Sequence, residues 1–168
     1  SNVLRSFYFF SQIFAEVAKE FPQVEAENIY VDAASAALVM RPEHFQVVVT
    51  ENMFGDILSD LGGGILGSLG LMPSACIGPE KAYYEPSHGS APDIAGKGVA
   101  NPYSMIGSVA MMLEFSFDLH AASRDIWDAM RKVFGQGYTT ADLRDPAGKL
   151  KIVSTAEFGD AVAKAVAG

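Results

Sequence analysis

Apolar residues recur three and four positions apart at the start of the chain. Val3, Phe7, Phe10, Phe14, Val17 and Phe21 form one stripe, Phe9 and Ile13 widen it, and Pro22 ends it. The pattern predicts an amphipathic helix over residues 2–21, its aromatic face turned to a core or an oligomer interface. Two short apolar runs follow. Ile29-Tyr30-Val31-Asp32 predicts a strand ending in a carboxylate, and Phe45-Gln46-Val47-Val48-Val49 predicts a buried strand. Between them, Ala33 to Met40 reads as a short helix stopped by Arg41-Pro42. From Asn52, a predicted N-cap, Met53, Ile57 and Leu58 return to helical spacing. Later stripes predict a helix over 102–117 (Ile106, Val109, Ala110, Leu113, Phe117), a second from Leu119 through Ala122, Ile126, Met130 and Val133, and a last one over 155–166 around Phe158, Ala161, Val162 and Val166. Trp127 reads as packing at the edge of the second of these. Strands alternating with helices give an α/β fold class.

Two stretches interrupt the regular pattern. From Tyr83 to Pro102, three prolines (Pro86, Pro92, Pro102) and three glycines (Gly89, Gly96, Gly98) exclude a regular helix or a central strand. A loop that long inside a compact chain is usually functional. Residues 62–70, G-G-G-I-L-G-S-L-G, contain no Gly-x-Gly-x-x-Gly in a βαβ context, so close packing or a hinge explains them better than a phosphate loop. Gly135 to Asp145 reads as a further loop.

The helix after Asn52 carries the first candidate chemistry. Asp56 and Asp60 are four residues apart and so share a face. Like charges at that spacing repel. The pair is either a solvated acidic face or a site for a hard divalent cation, and the apolar neighbours Met53, Phe54, Ile57, Leu58 and Leu61 speak against simple solvation. Asp32, at a strand end, is by itself a cap or turn residue. His88 is by itself a surface histidine or a ligand.

Composition narrows the functional classes. A net charge of −8 argues against nucleic acid as a partner. No apolar run approaches the ~18 residues of a membrane span, and the first residues lack a signal-peptide pattern, so a cytoplasmic location is expected. The lone Cys76 excludes an internal disulfide and is expected to be a small buried hydrophobe between Ala75 and Ile77.

The stretches E-N-M-F-G-D-I-L-S-D, G-S-L-G-L-M-P-S-A and Y-E-P-S-H-G-S-A-P-D-I-A-G-K-G-V-A-N-P together resemble the metal-dependent β-decarboxylating dehydrogenases, the isocitrate/isopropylmalate dehydrogenase family, and most of all its isopropylmalate branch. The resemblance covers almost the whole chain but only the C-terminal half of a typical member. It implies the C-terminal portion of the isopropylmalate dehydrogenase fold, with residues 1–62 in a dimerisation and substrate domain and residues 63–168 in a cofactor-side domain. It implies a Mg²⁺ or Mn²⁺ site of Asp32, Asp56 and Asp60, with Asp32 and Asp56 also counted as catalytic and Asp32 reaching into the partner's site across a homodimer. Asn2 matches an asparagine near the substrate. Glu85, His88, Gly89, Ser90, Ala91, Asp93 and Asn101 match positions around a dinucleotide, and Thr140-Ala141-Asp142-Leu143 matches a T-x-D-L near its adenosine end.

Asp93 points to NAD, since a carboxylate accepts hydrogen bonds from both ribose hydroxyls and repels a 2′-phosphate. NADP-using relatives carry Lys and Tyr at the positions of Asp93 and Ile94. The implied reaction is oxidative decarboxylation of a 3-carboxy-2-hydroxy acid, first of all 3-isopropylmalate in leucine biosynthesis. Leu61-Gly62-Gly63-Gly64-Ile65 departs from the E-A-S-M-L common in that branch, which keeps D-malate, tartrate and homoisocitrate dehydrogenases as alternatives. The family's lysine, tyrosine and carboxylate-binding arginines match positions upstream of Ser1. An inactive fragment, or half of a split enzyme, is therefore a further alternative.

Overall fold

The computed structural model describes residues 4–143 and 145–168. The chain divides into two compact units, the first ending at Leu58 and the second running from Ser59 to Gly168.

The first unit holds α1 (Arg5–Ala18), α2 (Val31–Met40) and the start of α3 (Asn52–Leu66). The predicted first helix is real but shorter than residues 2–21, and beyond Ala18 the chain continues in turns. None of its described residues is buried. Phe7 meets Phe54 with ring centroids 4.9 Å apart, while Phe9 is 63% exposed. Ala34 and Ala37 of α2 are the buried hydrophobic residues of this unit.

Neither strand predicted in this unit forms. Val31 and Asp32 open α2, and the Phe45–Val49 run bends at Gln46 and joins no ladder. Val47 is 90% exposed, where burial was expected. The physical reason is pairing. A strand exists only when its N–H and C=O groups meet those of a neighbour, and these runs meet none among the described residues.

The second unit is built on a hairpin. β1 (Pro73–Ile77) and β2 (Ala82–Pro86) pair antiparallel from Pro73 opposite Pro86 to Ile77 opposite Ala82. Its turn closes through Gly78 N–H to the Lys81 carbonyl at 2.9 Å. The expected loop from Tyr83 therefore begins at Ser87, because Tyr83 to Pro86 pair with β1; two-stranded pairing tolerates Pro86 at a strand end. Cys76 lies on this hairpin and is exposed, not buried. A two-stranded ribbon has an uncovered side, and Cys76 sits toward its turn, one pair from Ile77 and Ala82.

α4 (Tyr103–Phe115), α5 (His120–Gly135) and α6 (Thr155–Ala167) supply the rest of the unit. The parallel pair β3 (Tyr138–Thr139) and β4 (Lys151–Ile152) lies between α5 and α6 in sequence. The core joins Ala129, Met130 and Val133 of α5 to Val153 and to Phe158 and Val162 of α6, with Trp127 packed at its edge. Phe134 lies 5.3 Å from Tyr103 on one side and 5.3 Å from Phe158 on the other. Ser154 and Glu157 cap α6 reciprocally: Glu157 Oε2 accepts from Ser154 N–H at 2.8 Å, and Ser154 Oγ accepts from Glu157 N–H at 3.2 Å.

α4 departs from its predicted apolar stripe. Its buried residues are Ser104, Gly107, Ser108 and Ala110, while Val109 and Phe117 are exposed. This face lies against backbone that needs hydrogen-bond partners, and small hydroxyl residues provide them. Close packing also explains Gly63 on α3: a β-carbon there would stand 2.1 Å from Met72 Sδ and 2.8 Å from Leu69 Cδ2.

Candidate functional site

The first turn of α3 is organised by Glu51. Its carboxylate accepts the backbone N–H groups of Met53 and Phe54, both at 2.8 Å. Asn52, expected as the cap, instead lies in the first turn and donates Nδ2–H to Asp56 Oδ2 at 2.9 Å. Glutamate wins because its longer side chain reaches both open donors of the turn. Asp56 and Asp60 are both exposed, one turn apart on this helix. Asp32 stands in the first turn of α2, also exposed, and its Oδ1 accepts from Ala33 N–H at 2.8 Å.

These three donors are all carboxylate oxygens, which suits a hard cation such as Mg²⁺ or Mn²⁺. Among the described residues of one chain, however, no three His, Cys, Asp or Glu side chains come together. Asn2 lies outside the described residues.

The loop from Ser87 to Asn101 is anchored at both ends. Ser87 N–H donates to the Met72 carbonyl at 2.9 Å. At the far end Thr155, the first residue of α6, donates N–H to Gly98 at 2.8 Å and its hydroxyl to Ala100 at 2.5 Å. Between the anchors Gly89, Ser90, Ala91 and Asp93 are exposed. Ala91 takes a left-handed φ of 44°, which costs a residue with a β-carbon about 1–3 kcal/mol unless its surroundings impose it. The turn it makes closes through Ile94 N–H to Ala91 at 3.1 Å.

His88 is half-buried and bonded at both ring nitrogens, Nδ1 to the Gly89 carbonyl at 2.9 Å and Nε2 to Ser104 Oγ at 2.9 Å. Ser108, one turn along α4, donates to the carbonyls of Ser104 at 2.9 Å and Glu85 at 3.0 Å, and accepts from Ser74 N–H at 3.2 Å. Glu85 is thereby placed on β2 with its side chain exposed.

Asn101 is buried and points inward. Its Oδ1 accepts from Tyr103 N–H at 3.0 Å at the start of α4, and its Nδ2 donates to Asp142 at 3.1 Å. Asp142 is a hub. It also accepts the hydroxyl of Ser68, and that of Thr140 at 2.5 Å. Desolvation pushes its pKa up, but the hydrogen bonds from Ser68, Thr140 and Asn101 outweigh that and hold the carboxyl below its ordinary value. One carboxylate thus ties together the segment after α3, the end of the long loop and the loop after β3.

Ser68, Ser104 and Ser108 were not singled out from sequence. The readable signal was a pair of serines four apart in an otherwise apolar helix, which calls for a polar partner on one face. A groove of the second unit, about 460 Å³ and lined by Lys132, Tyr138, Lys151 and Glu157, contains none of the loop residues.

The chain was compared with known proteins. The profile of the family described as isocitrate/isopropylmalate dehydrogenase matches residues 1–162. The 3-isopropylmalate dehydrogenase of Chromobacterium violaceum is 52% identical over 167 residues, which are 99% of this chain and 47% of the relative. That of Cupriavidus metallidurans is 50% identical, with 99% and 46% covered. Among solved structures, the isocitrate dehydrogenase of Methylococcus capsulatus superposes with a TM-score of 0.87 at 46% identity, over 95% of this chain and 46% of that one. A β-decarboxylating dehydrogenase of Thermococcus kodakarensis gives 0.80 at 38% identity, over 99% and 47%. The chain therefore spans about half the length of the curated relatives it matches. Both the sequence match and the superposition, at identities well above those where fold alone is shared, place this chain in the isocitrate/isopropylmalate dehydrogenase family.

Proposed function

We propose that these residues are the metal- and cofactor-binding portion of an NAD-dependent dehydrogenase that oxidatively decarboxylates a 3-carboxy-2-hydroxy acid, with 3-isopropylmalate as substrate, working as a cytoplasmic homodimer. The observation that carries this reading is the match over residues 1–162, which holds the acidic face of α3 and the doubly anchored loop in one sequence. Half-identical relatives named 3-isopropylmalate dehydrogenase support the choice of substrate.

The roles follow from chemistry. Asp56 and Asp60 of one chain, with Asp32 of the partner subunit, would hold a divalent cation. Such a cation supplies Lewis-acid stabilisation of negative charge next to the departing carboxylate. The chain's own part is to place the carboxylates: Asn52 steadies Asp56, and Glu51 fixes the turn that carries both. In the loop, exposed Asp93 offers two acceptors to a pair of ribose hydroxyls and repels a 2′-phosphate, which selects NAD over NADP. The backbone of Gly89, Ser90 and Ala91 and the ring of His88 would contact the adenosine end. Asn101, committed to Asp142 and Tyr103, shapes the end of the loop.

The test is turnover in a hybrid, with the N-terminal half of the Chromobacterium violaceum relative joined ahead of this chain. NADH formation would be followed with Mn²⁺ and, in turn, 3-isopropylmalate, isocitrate, D-malate, tartrate and homoisocitrate. The reading predicts the highest kcat/KM for 3-isopropylmalate with NAD⁺. A folded hybrid that prefers another acid, or NADP⁺, would contradict it.

A further inference from the structure

We infer that Ser104 is a positioning residue for the cofactor loop. Its hydroxyl holds the His88 ring in one orientation, so that the loop presents a fixed imidazole to the adenosine end of a dinucleotide. The inference rests on the reading of the loop given above.

The His88 ring makes two hydrogen bonds. The Gly89 carbonyl can only accept, so Nδ1, 2.9 Å away, carries the proton. In the neutral ring Nε2 is then an acceptor, and Ser104 Oγ–H, 2.9 Å away, is its donor. Ser104 is wholly buried. A buried hydroxyl without a partner is costly, and the hydrogen bond to His88 is what its side chain makes. Serine and histidine therefore satisfy each other.

The serine is itself rigidly held. It lies on α4, and its carbonyl accepts from the Ser108 hydroxyl, which also donates to the Glu85 carbonyl of β2 and accepts from Ser74 N–H of β1. The ring is thus referenced to a helix and a hairpin, although it belongs to a loop whose next residues are exposed. Without the Ser104 hydroxyl, Nδ1 would keep one bond to a neighbouring residue, Gly89, which moves with the loop. The Gly89 carbonyl would still keep the proton on Nδ1, but more than one ring orientation would then be open. A ring that must be ordered on binding weakens that binding.

The test uses the 168-residue chain with ¹⁵N-labelled histidine. NMR of the His88 ring nitrogens should show the Nδ1–H tautomer in both proteins, with one sharp Nε2 signal shifted by its hydrogen bond in the parent and an exchange-broadened Nε2 signal in Ser104→Ala. Retention of the parent's single sharp Nε2 signal in that variant would overturn the inference. NAD⁺ is then titrated into the parent, S104A, H88A and the double variant. The expected result is an affinity about fivefold weaker in S104A, the size of one neutral hydrogen bond, with no further loss when S104A is added to H88A. An S104A loss that persists in the H88A background would mean that Ser104 merely supports the fold, and would overturn the positioning role. An unchanged affinity in S104A beside a weakened H88A would also overturn it. If H88A binds NAD⁺ like the parent, the cofactor reading of the loop fails and takes the role in binding with it; the Nε2 measurement still decides separately whether Ser104 orients the ring.

Discussion

Replacing Asp142 tests whether one carboxylate organises the end of the loop from Ser87 to Asn101. In the parent it accepts from Ser68, Asn101 and Thr140. Thr140 is fully buried and Asn101 is 8% exposed, so neither donor finds water easily once the acceptor is gone. Asp142→Ala removes every acceptor. Two buried donors left open cost ~1–3 kcal/mol each, and partial relaxation toward solvent brings the expected total to about 3 kcal/mol. Asp142→Asn keeps the shape and one oxygen but turns an NH₂ toward a donor and removes the charge assistance, about 1 kcal/mol per bond before solvent screening. Its expected cost is about 2 kcal/mol. Urea denaturation followed by far-UV circular dichroism should show both losses as lower midpoints with an unchanged slope. A cost under ~0.5 kcal/mol for D142A, the scale of an ordinary surface change, would refute the reasoning. The pH dependence has a definite sign. The folded pKa lies below the ordinary 3.8, so this stabilisation is present above that value and is lost as pH falls through the depressed one. The gap between parent and D142N should therefore be constant near neutrality and narrow only below about pH 4.

Two further predictions follow from single positions. Asp93→Ala in the hybrid enzyme should narrow the preference for NAD⁺ over NADP⁺, mainly through a lower KM for NADP⁺, because a repulsive charge facing the 2′-phosphate is gone; a parent that already prefers NADP⁺ would contradict the role given to Asp93. On α3, Gly64 has no atom within 4 Å of an added β-carbon while Gly63 has Met72 Sδ at 2.1 Å, so thermal unfolding should show Gly64→Ala stabilising by up to about 1 kcal/mol and Gly63→Ala failing to gain it, because overpacking costs ~1–3 kcal/mol. Equal gains in the two variants would mean that Gly63 is not a packing contact.

What could be read from sequence depended on how local its cause is. α5 and α6 carry their own signal, since Met130, Val133, Phe158 and Val162 sit on faces that the helical period alone defines. The runs at Ile29 and Phe45 carry the composition of strands, but a strand needs a neighbour, and nothing local supplies one. The apolar stripe predicted for α4 missed Ser104 and Ser108 because hydropathy counts a serine against burial, whereas here the burial is made possible by backbone carbonyls and a histidine brought in from β2 and the loop. In the candidate site, Asp56 and Asp60 were legible because a four-residue spacing fixes their common face. Pro92, Gly96 and Gly98 marked the loop for the same local reason. The anchors were not legible. Thr155 is more than fifty residues from Gly98 and Ala100, and Asp142 lies far along the chain from Ser68 and Asn101, so their meeting is a product of the fold.

In the proposed function, carboxylates from two chains would hold the cation on which the reaction depends. The most direct measurement is Mn²⁺ binding by electron paramagnetic resonance to the parent, to Asp32→Asn, to the double variant Asp56→Asn with Asp60→Asn, and to an equimolar mixture of the two variants refolded together. The account predicts binding by the parent, loss in each variant alone and partial recovery in the mixture, where a mixed dimer joins Asp32 from one chain to Asp56 and Asp60 from the other. Parent-like affinity in either variant would contradict the three-carboxylate site, and losses that mixing does not restore would contradict its division between two chains.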